Sequence, residues 1–477
     1  MAKAIMESPR ATAVPRAPHT AAAVEAASDL DSPQEIRSLV FKLAWPSILE
    51  NMLQSIFNII MIGMVARLGS AAIAGVGASN GLIMVAMSSF FALSMGTTVL
   101  VAHATGAQNR EAASRAAKQS LTLGLILGAI VTVLGVAFAS QAIAALGAKP
   151  EVVAAGADYL RAFSLGGVFI VTTFIAGGVM RGSGDARTPM LVTLGSLAAS
   201  LAIGYPLIFG KFGLPALGSF GAGLATTGAR GLGCLILIAL LFRPGRAISI
   251  TGRQGWLPAL EPLKRLLKIG LPSMGESLFR AGGMLFFSVI VFRLGTEVAA
   301  AQQVAQQVAF FSMMPGFGFS MAAMTLVGQA LGAGKPDRAK RASWFATRSC
   351  FAWMGTMGLV FFFFGHWIMG LFTNDPVIIS NGAIALKVVA LAQPGQALGM
   401  VLAGSLRGAG DTSYPMFATG AAMWLVRLPL AWFFGITLGL GLGGVYLGWV
   451  IDTIVLAGLN WARYRTGRWQ QRKVAIG

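Results

Sequence analysis

The chain has 477 residues, 56% of them hydrophobic and only 11% charged. A soluble domain carries about 25% charged residues, so this composition excludes a protein with a fully water-facing surface. The net charge of +19 is spread over alternate loops instead of one patch, which speaks against nucleic acid as a partner.

Residues 1–36 are rich in Ala, Pro and Ser and lack an apolar stretch of signal-peptide type, so they read as a disordered cytoplasmic tail. Six apolar spans follow, near 39–65, 72–101, 119–146, 157–180, 188–210 and 214–242. Runs such as Leu121–Leu146 and Met190–Phe209 can cross roughly 30 Å of hydrocarbon as helices. A polar linker at 243–265 leads to six more spans, near 266–291, 298–328, 344–371, 378–405, 413–437 and 441–464, and residues 466–477 form a basic tail. The expected fold is an all-α integral membrane protein. Its twelve transmembrane helices form two parallel six-helix repeats, 37–242 and 266–465, around a central cleft. It is expected to work as a monomer surrounded by membrane lipid.

The two halves are copies. A shift of 226 positions carries Pro46-Ser47 onto Pro272-Ser273, Glu50 onto Glu276 and Arg67-Leu68-Gly69 onto Arg293-Leu294-Gly295. The same shift carries Gly106-Ala107 onto Gly332-Ala333, and Arg181-Gly182-x-Gly184-Asp185 onto Arg407-Gly408-x-Gly410-Asp411. One offset without a gap marks a duplicated, fused unit. In so apolar a chain, that points to a transporter with its site between two related halves.

Orientation follows from charge. Arg110, Arg115, Lys118, Arg181, Arg187, Lys335, Arg338, Lys340 and Arg341 lie in one set of loops, and the tail adds Arg463, Arg465, Arg468, Arg472 and Lys473. The opposite loops hold little more than Arg67, Lys149, Lys211 and Arg293. Both termini are therefore expected on the cytoplasmic side of the cell (inner) membrane. The two cysteines, Cys234 and Cys350, lie in apolar segments of different halves and suggest neither a disulfide nor a metal site. The loops carry no nucleophile, metal or cofactor constellation, so no enzyme is expected.

Several motifs resemble those of the multidrug and toxic compound extrusion (MATE) family. They are the two Arg-Leu-Gly segments, Val327-Gly328-Gln329-Ala330-Leu331-Gly332-Ala333-Gly334, Leu406-Arg407-Gly408-Ala409-Gly410-Asp411-Thr412, and the tail segment Arg463-x-Arg465-Thr466-Gly467-Arg468-Trp469. The resemblance covers about residues 37–470. It implies a two-lobed exporter that exchanges a small organic substrate, usually cationic, for protons or sodium ions, without a cofactor. The sequence departs from the family where ions usually bind. Met61 and Gly204 stand where the first half often has carboxylates, Ser200 where an Asn is frequent, and Arg280 and Gln396 replace acidic residues of the second half.

Coupling must then rest on other carboxylates. Glu50, Glu276 and Asp452 lie inside apolar spans, and an ionised carboxylate at mid-membrane costs about 2.5–3.5 kcal/mol on insertion scales. A carboxylate withdrawn from water holds a proton more readily, which suits proton exchange near neutral pH. Glu50, Gln54 and Asn58 recur every four residues with Asn51 beside them, forming a polar stripe that cannot face lipid. Glu276 and Arg280 stand at the same four-residue spacing and could form an internal ion pair. Gln303, Gln307 and Gln396 are further candidates for the cavity wall, with Gln302 and Gln306 nearby, whereas Arg427 reads as structural. Asp185 and Asp411 are expected to pair with the Arg of their own loop motifs. The functional expectation is export of amphipathic, cationic compounds by alternating access between the lobes. The alternatives are a flippase for a lipid-linked precursor, kept open by Arg280, Arg230 and Arg427, and an exporter of anionic compounds.

Overall fold

The computed structural model describes residues 32–243, 248–252, 254–472 and 474; the expected tail over residues 1–31 and Lys473 lie outside the described residues. Ser32 opens the first helix. Its hydroxyl accepts from the Glu35 backbone N–H at 3.2 Å, and Pro33 occupies the first turn, where a missing N–H costs nothing. Helix α1 therefore runs Pro33–Ala66 and begins before the apolar pattern does.

The first lobe continues with α2 Ser70–Gly106, α3 Arg110–Ala137, the short α4 Ala139–Ala144, α5 Pro150–Ser164, α6 Gly167–Gly182, α7 Arg187–Phe209 and α8 Gly218–Phe242. The second holds α9 Leu260–Phe292, α10 Thr296–Gly332, α11 Pro336–Gly370, α12 Pro376–Gly408, α13 Ser413–Thr437 and α14 Gly441–Arg465. Eleven of these are long and apolar enough to cross a membrane, and the bent pair α5–α6 makes a twelfth span. The bend is 52°. A Cβ on Gly166 would stand 2.8 Å from Thr227 Cγ2, and one on Gly167 2.7 Å from Thr132 Oγ1. Glycines let the joint wedge between α3 and α8. No strand occurs among the described residues.

The linker is strapped onto α3. Lys118 Nζ donates to the carbonyls of Thr251, Gly252 and Gln254 at 2.9, 3.1 and 2.8 Å. The Gln119 amide donates to Gly255 and Leu257, both at 2.7 Å. The C-terminal segment is docked as well. Trp469 is fully buried with its ring stacked 4.8 Å from Tyr464, and Asp411 accepts from Arg463 at 2.8 Å and Arg472 at 2.6 Å.

The distribution of the cores positions the site. At the end carrying the basic loops, the cores are shared between lobes. Leu266 and Ile269 of α9 pack among Leu93, Val99 and Leu100 of α2, while Ile36, Val40 and Leu43 of α1 pack against Phe319, Ala322 and Leu326 of α10. Toward the far end each lobe has its own core: Phe57, Met61, Val65 and Ile208 in the first, Phe287, Ile290, Leu386 and Tyr446 in the second. Pro46 and Pro272 lie inside α1 and α9 between these regions. Each removes a helical hydrogen bond there. The lobes are closed at the basic end and independent at the other, which leaves the cleft between them.

Candidate functional site

The duplication places the same three side chains in each lobe. In the second, Glu276 is buried on α9. Arg407, at the end of α12, grips it through Nη2 at 2.6 and 2.8 Å and through Nε at 3.2 Å. The Thr419 hydroxyl donates to it at 3.2 Å, as does Arg280 Nη2 at 3.2 Å. Arg280 thus pairs with Glu276 as its spacing suggests, but as the lesser partner. Its own side chain stays 47% exposed. A guanidinium cannot face lipid cheaply, so that open side belongs to the cleft.

In the first lobe the equivalents are Glu50 on α1, Arg181 at the end of α6 and Thr193 on α7. Thr193 donates to Glu50 Oε1 at 3.0 Å, but Arg181 Nη1 stands 3.6 Å from Oε2, and the Glu50 side chain is 24% exposed. The buried Nε of Arg181 has no partner. The two triads share residue types and differ in grip. The second is a closed bidentate pair; the first is held by one long ion contact and leaves a donor unused.

Arg181 and Arg407 are the carboxylate partners that sequence reasoning misplaced. Their motifs suggested turns pairing each Arg with its own Asp. Instead both guanidinia turn into the bundle, Asp185 accepts from Thr188 at the start of α7, and Asp411 takes Arg463 and Arg472. The signal that could have found them lies in the repeat, since the shift carrying Glu50 onto Glu276 also carries Arg181 onto Arg407 and Thr193 onto Thr419.

The other candidates separate. Asn51 is tied to the Ser47 carbonyl at 2.7 Å, and Gln54 donates to Asn58 Oδ1 at 3.4 Å, continuing the polar stripe below Glu50. Asp452 is buried and taken by Arg427, whose Nε lies 2.8 Å away and whose guanidinium covers the Trp449 ring at 4.8 Å. That pair sits in the second lobe, where Arg427 Nη1 also reaches Met284 Sδ on α9 at 3.8 Å and α13 widens into π-helical turns at Ala422–Arg427 and Phe433–Thr437. Gln302 is buried and donates to Gln306 at 3.2 Å, while Gln303 and Gln307 are exposed. Gln396 Nε2 approaches Met313 Sδ at 3.3 Å. Where the family often has carboxylates, a Cβ on Gly204 would meet the Met61 thioether methyl at 3.7 Å, so that spot is apolar. Among the described residues, no group of three His, Cys, Asp or Glu could hold a metal ion.

The lobes are bolted together on a pseudo-twofold axis at the basic end. His103 Nε2 lies 2.9 Å from the Gly408 carbonyl oxygen, and Gln329 Nε2 donates to the Gly182 carbonyl at 2.9 Å. The repeat shift carries His103 onto Gln329 and Gly182 onto Gly408, so one bond is the image of the other. A carbonyl only accepts, so His103 carries its hydrogen on Nε2. Two glycines allow the crossing of α2 and α10. A Cβ on Gly106 would stand 1.9 Å from the Gln329 carbonyl oxygen, and one on Gly332 2.1 Å from that of His103.

Two duplicated helical lobes, closed at one end around membrane-embedded carboxylates, define a multi-pass membrane transporter. The MatE family model matches residues 46–206 and 272–433, once per lobe, and the chain belongs to this family of multidrug efflux transporters. A probable multidrug resistance protein NorM of Thermotoga maritima is 32% identical over 444 residues, covering 92% of this chain and 94% of that protein. A protein of the same description from Rhodopseudomonas palustris is 31% identical, covering 89% of this chain and 91% of its own. A solved outward-facing conformation of a multidrug resistance MATE family transporter superposes with a TM-score of 0.84 at 25% identity, covering 91% of this chain and 97% of its own.

Proposed function

We propose that this transporter exports amphipathic organic compounds in exchange for inward-moving protons, with Glu50 as the exchanged carboxylate. The observation that carries this reading is the contrast between the triads. Glu276 and Asp452 are saturated by arginines, whereas Glu50 is partly open and loosely held. A proton and a cationic substrate would compete for the same carboxylate, and mutual exclusion at one site is what antiport requires. Shared cores at one end and separate cores at the other support alternating access. The positive charge of the loops supports a cytoplasmic position for the closed end and both termini.

The choice of ion rests on the groups around Glu50. A sodium ion needs several oxygen ligands, whereas the neighbours that hold Glu50 are the Thr193 hydroxyl and Arg181, which offers only N–H donors. A proton needs only one carboxylate oxygen. Arg280, half-open to the cleft, favours a second reading in which the substrate is anionic.

Purified protein in sealed vesicles, with proton and sodium gradients imposed separately, tests both points. A cationic dye should move against an inward proton gradient and stay put under a sodium gradient alone. Movement driven by sodium alone would overturn the ion assignment; movement of an anionic dye and no cationic one would favour the second reading.

A further inference from the structure

Each triad arginine is next to the carbonyl that bolts its lobe to the other. Arg181 precedes Gly182, the last residue of α6, whose carbonyl accepts from Gln329; Arg407 precedes Gly408, the last residue of α12, whose carbonyl meets His103. From this adjacency we infer that Gln329 is a positioning residue for coupling: the Gln329–Gly182 bond transmits the charge state of Glu50 to the cytoplasmic gate, and the His103–Gly408 bond does not. The inference rests on Glu50 being the exchanged carboxylate.

The steps are local. While Glu50 is ionised, it holds the Arg181 guanidinium inside the bundle and thereby fixes the final turn of α6. When Glu50 takes up a proton, Arg181 loses its one ion contact while its Nε already lacks a partner. An uncompensated guanidinium within the membrane moves toward water. Arg181 lies in the last turn of α6 at the basic end, one residue from Gly182, so that end offers it a route to water. Turning Arg181 outward displaces the Gly182 carbonyl from Gln329, and the first bolt opens. The second bolt is different because Arg407 holds Glu276 with three contacts in a buried pair, so no single contact governs its release. The cytoplasmic gate thus has one ion-sensitive bolt and one constant bolt.

The repeat supplies the control. Histidine performs the same donation at the equivalent position of the first half, so Gln329→His should keep the bolt and Gln329→Leu should lose it. Ala186, 4% exposed and packed in the core shared by both lobes at the basic end, suits a reporter cysteine once Cys234 and Cys350 are replaced. Labelling of Ala186→Cys by a membrane-impermeant maleimide in inside-out vesicles reads the gate.

Glu50→Gln, a mimic of the protonated state, should raise labelling about tenfold, a typical coupling between two sites. The same increase should appear in the Gln329→His and His103→Leu backgrounds and vanish with Gln329→Leu, where labelling is already high. If Glu50→Gln acts equally with Gln329→Leu, or does not change labelling at all, the transmission through Gln329 is overturned. Efflux is measured on the same variants. Loss of gradient-driven efflux in Glu50→Gln with additive labelling would leave Glu50 as the exchanged carboxylate and remove only the bolt. Normal efflux in Glu50→Gln would remove the role of Glu50 itself.

Discussion

Glu276→Gln should leave little folded protein in the membrane. The substitution removes the acidic partner that grips the buried Arg407 and anchors Arg280. Breaking a buried ion pair from one side costs roughly 3–5 kcal/mol, because the remaining charge is left uncompensated. The remedy should be specific. Adding Arg407→Leu removes the stranded guanidinium and should recover much of the loss, whereas Arg280→Gln should recover less, since Arg280 contributes one 3.2 Å contact and is already half-open. Thermal unfolding of the detergent-purified variants measures both. Equal rescue by the two substitutions would mean that Arg407 is not the principal partner.

Gly106→Ala should block closure of the cytoplasmic end. The added methyl would stand 1.9 Å from the Gln329 carbonyl oxygen and within 2.8 Å of its carbonyl carbon and Cα, all backbone atoms that cannot rotate away. Gly332→Ala meets the backbone of His103 in the same way at 2.1 Å. Overpacking of this kind costs about 1–3 kcal/mol, which lowers the closed population by roughly 5- to 150-fold. The lobes can escape the clash by separating at this end, so the protein should remain folded and be trapped open to the cytoplasm. Efflux should fall by a similar factor while the Ala186→Cys reporter becomes constitutively accessible. Full efflux in Gly106→Ala would show that this crossing is not the gate.

These two sites illustrate what could be read from the amino-acid order. Helix number and the duplication were legible because spanning length and a fixed offset are one-dimensional properties. Glu50 and Glu276 were legible as costly charges in apolar spans. Their arginine partners were not, for a physical reason. Arg181 and Arg407 end their helices beside loop residues, so the chain order associates them with Asp185 and Asp411, while their carboxylates lie 131 positions away. The bend between α5 and α6 was hidden because no proline marks it; packing against Thr227 and Thr132 sets it. The crossing of α1 and α9 onto the opposite lobe is likewise a matter of assembly, not of periodicity. The difference between the triads is a matter of tenths of an ångström and of exposure, which no spacing rule contains.

The most direct test of the account is proton-driven efflux by Glu50→Gln in reconstituted vesicles, beside the unaltered protein. Glutamine keeps the hydrogen bond from Thr193, and Arg181, held by a single 3.6 Å ion contact, can turn toward water once the charge is gone, so the variant should insert and fold at near-normal yield. An imposed proton gradient should then move no substrate against its gradient, and addition of substrate should release no protons. Gradient-driven efflux at the unaltered rate would contradict the assignment of Glu50 and leave Asp452 as the next carboxylate to test.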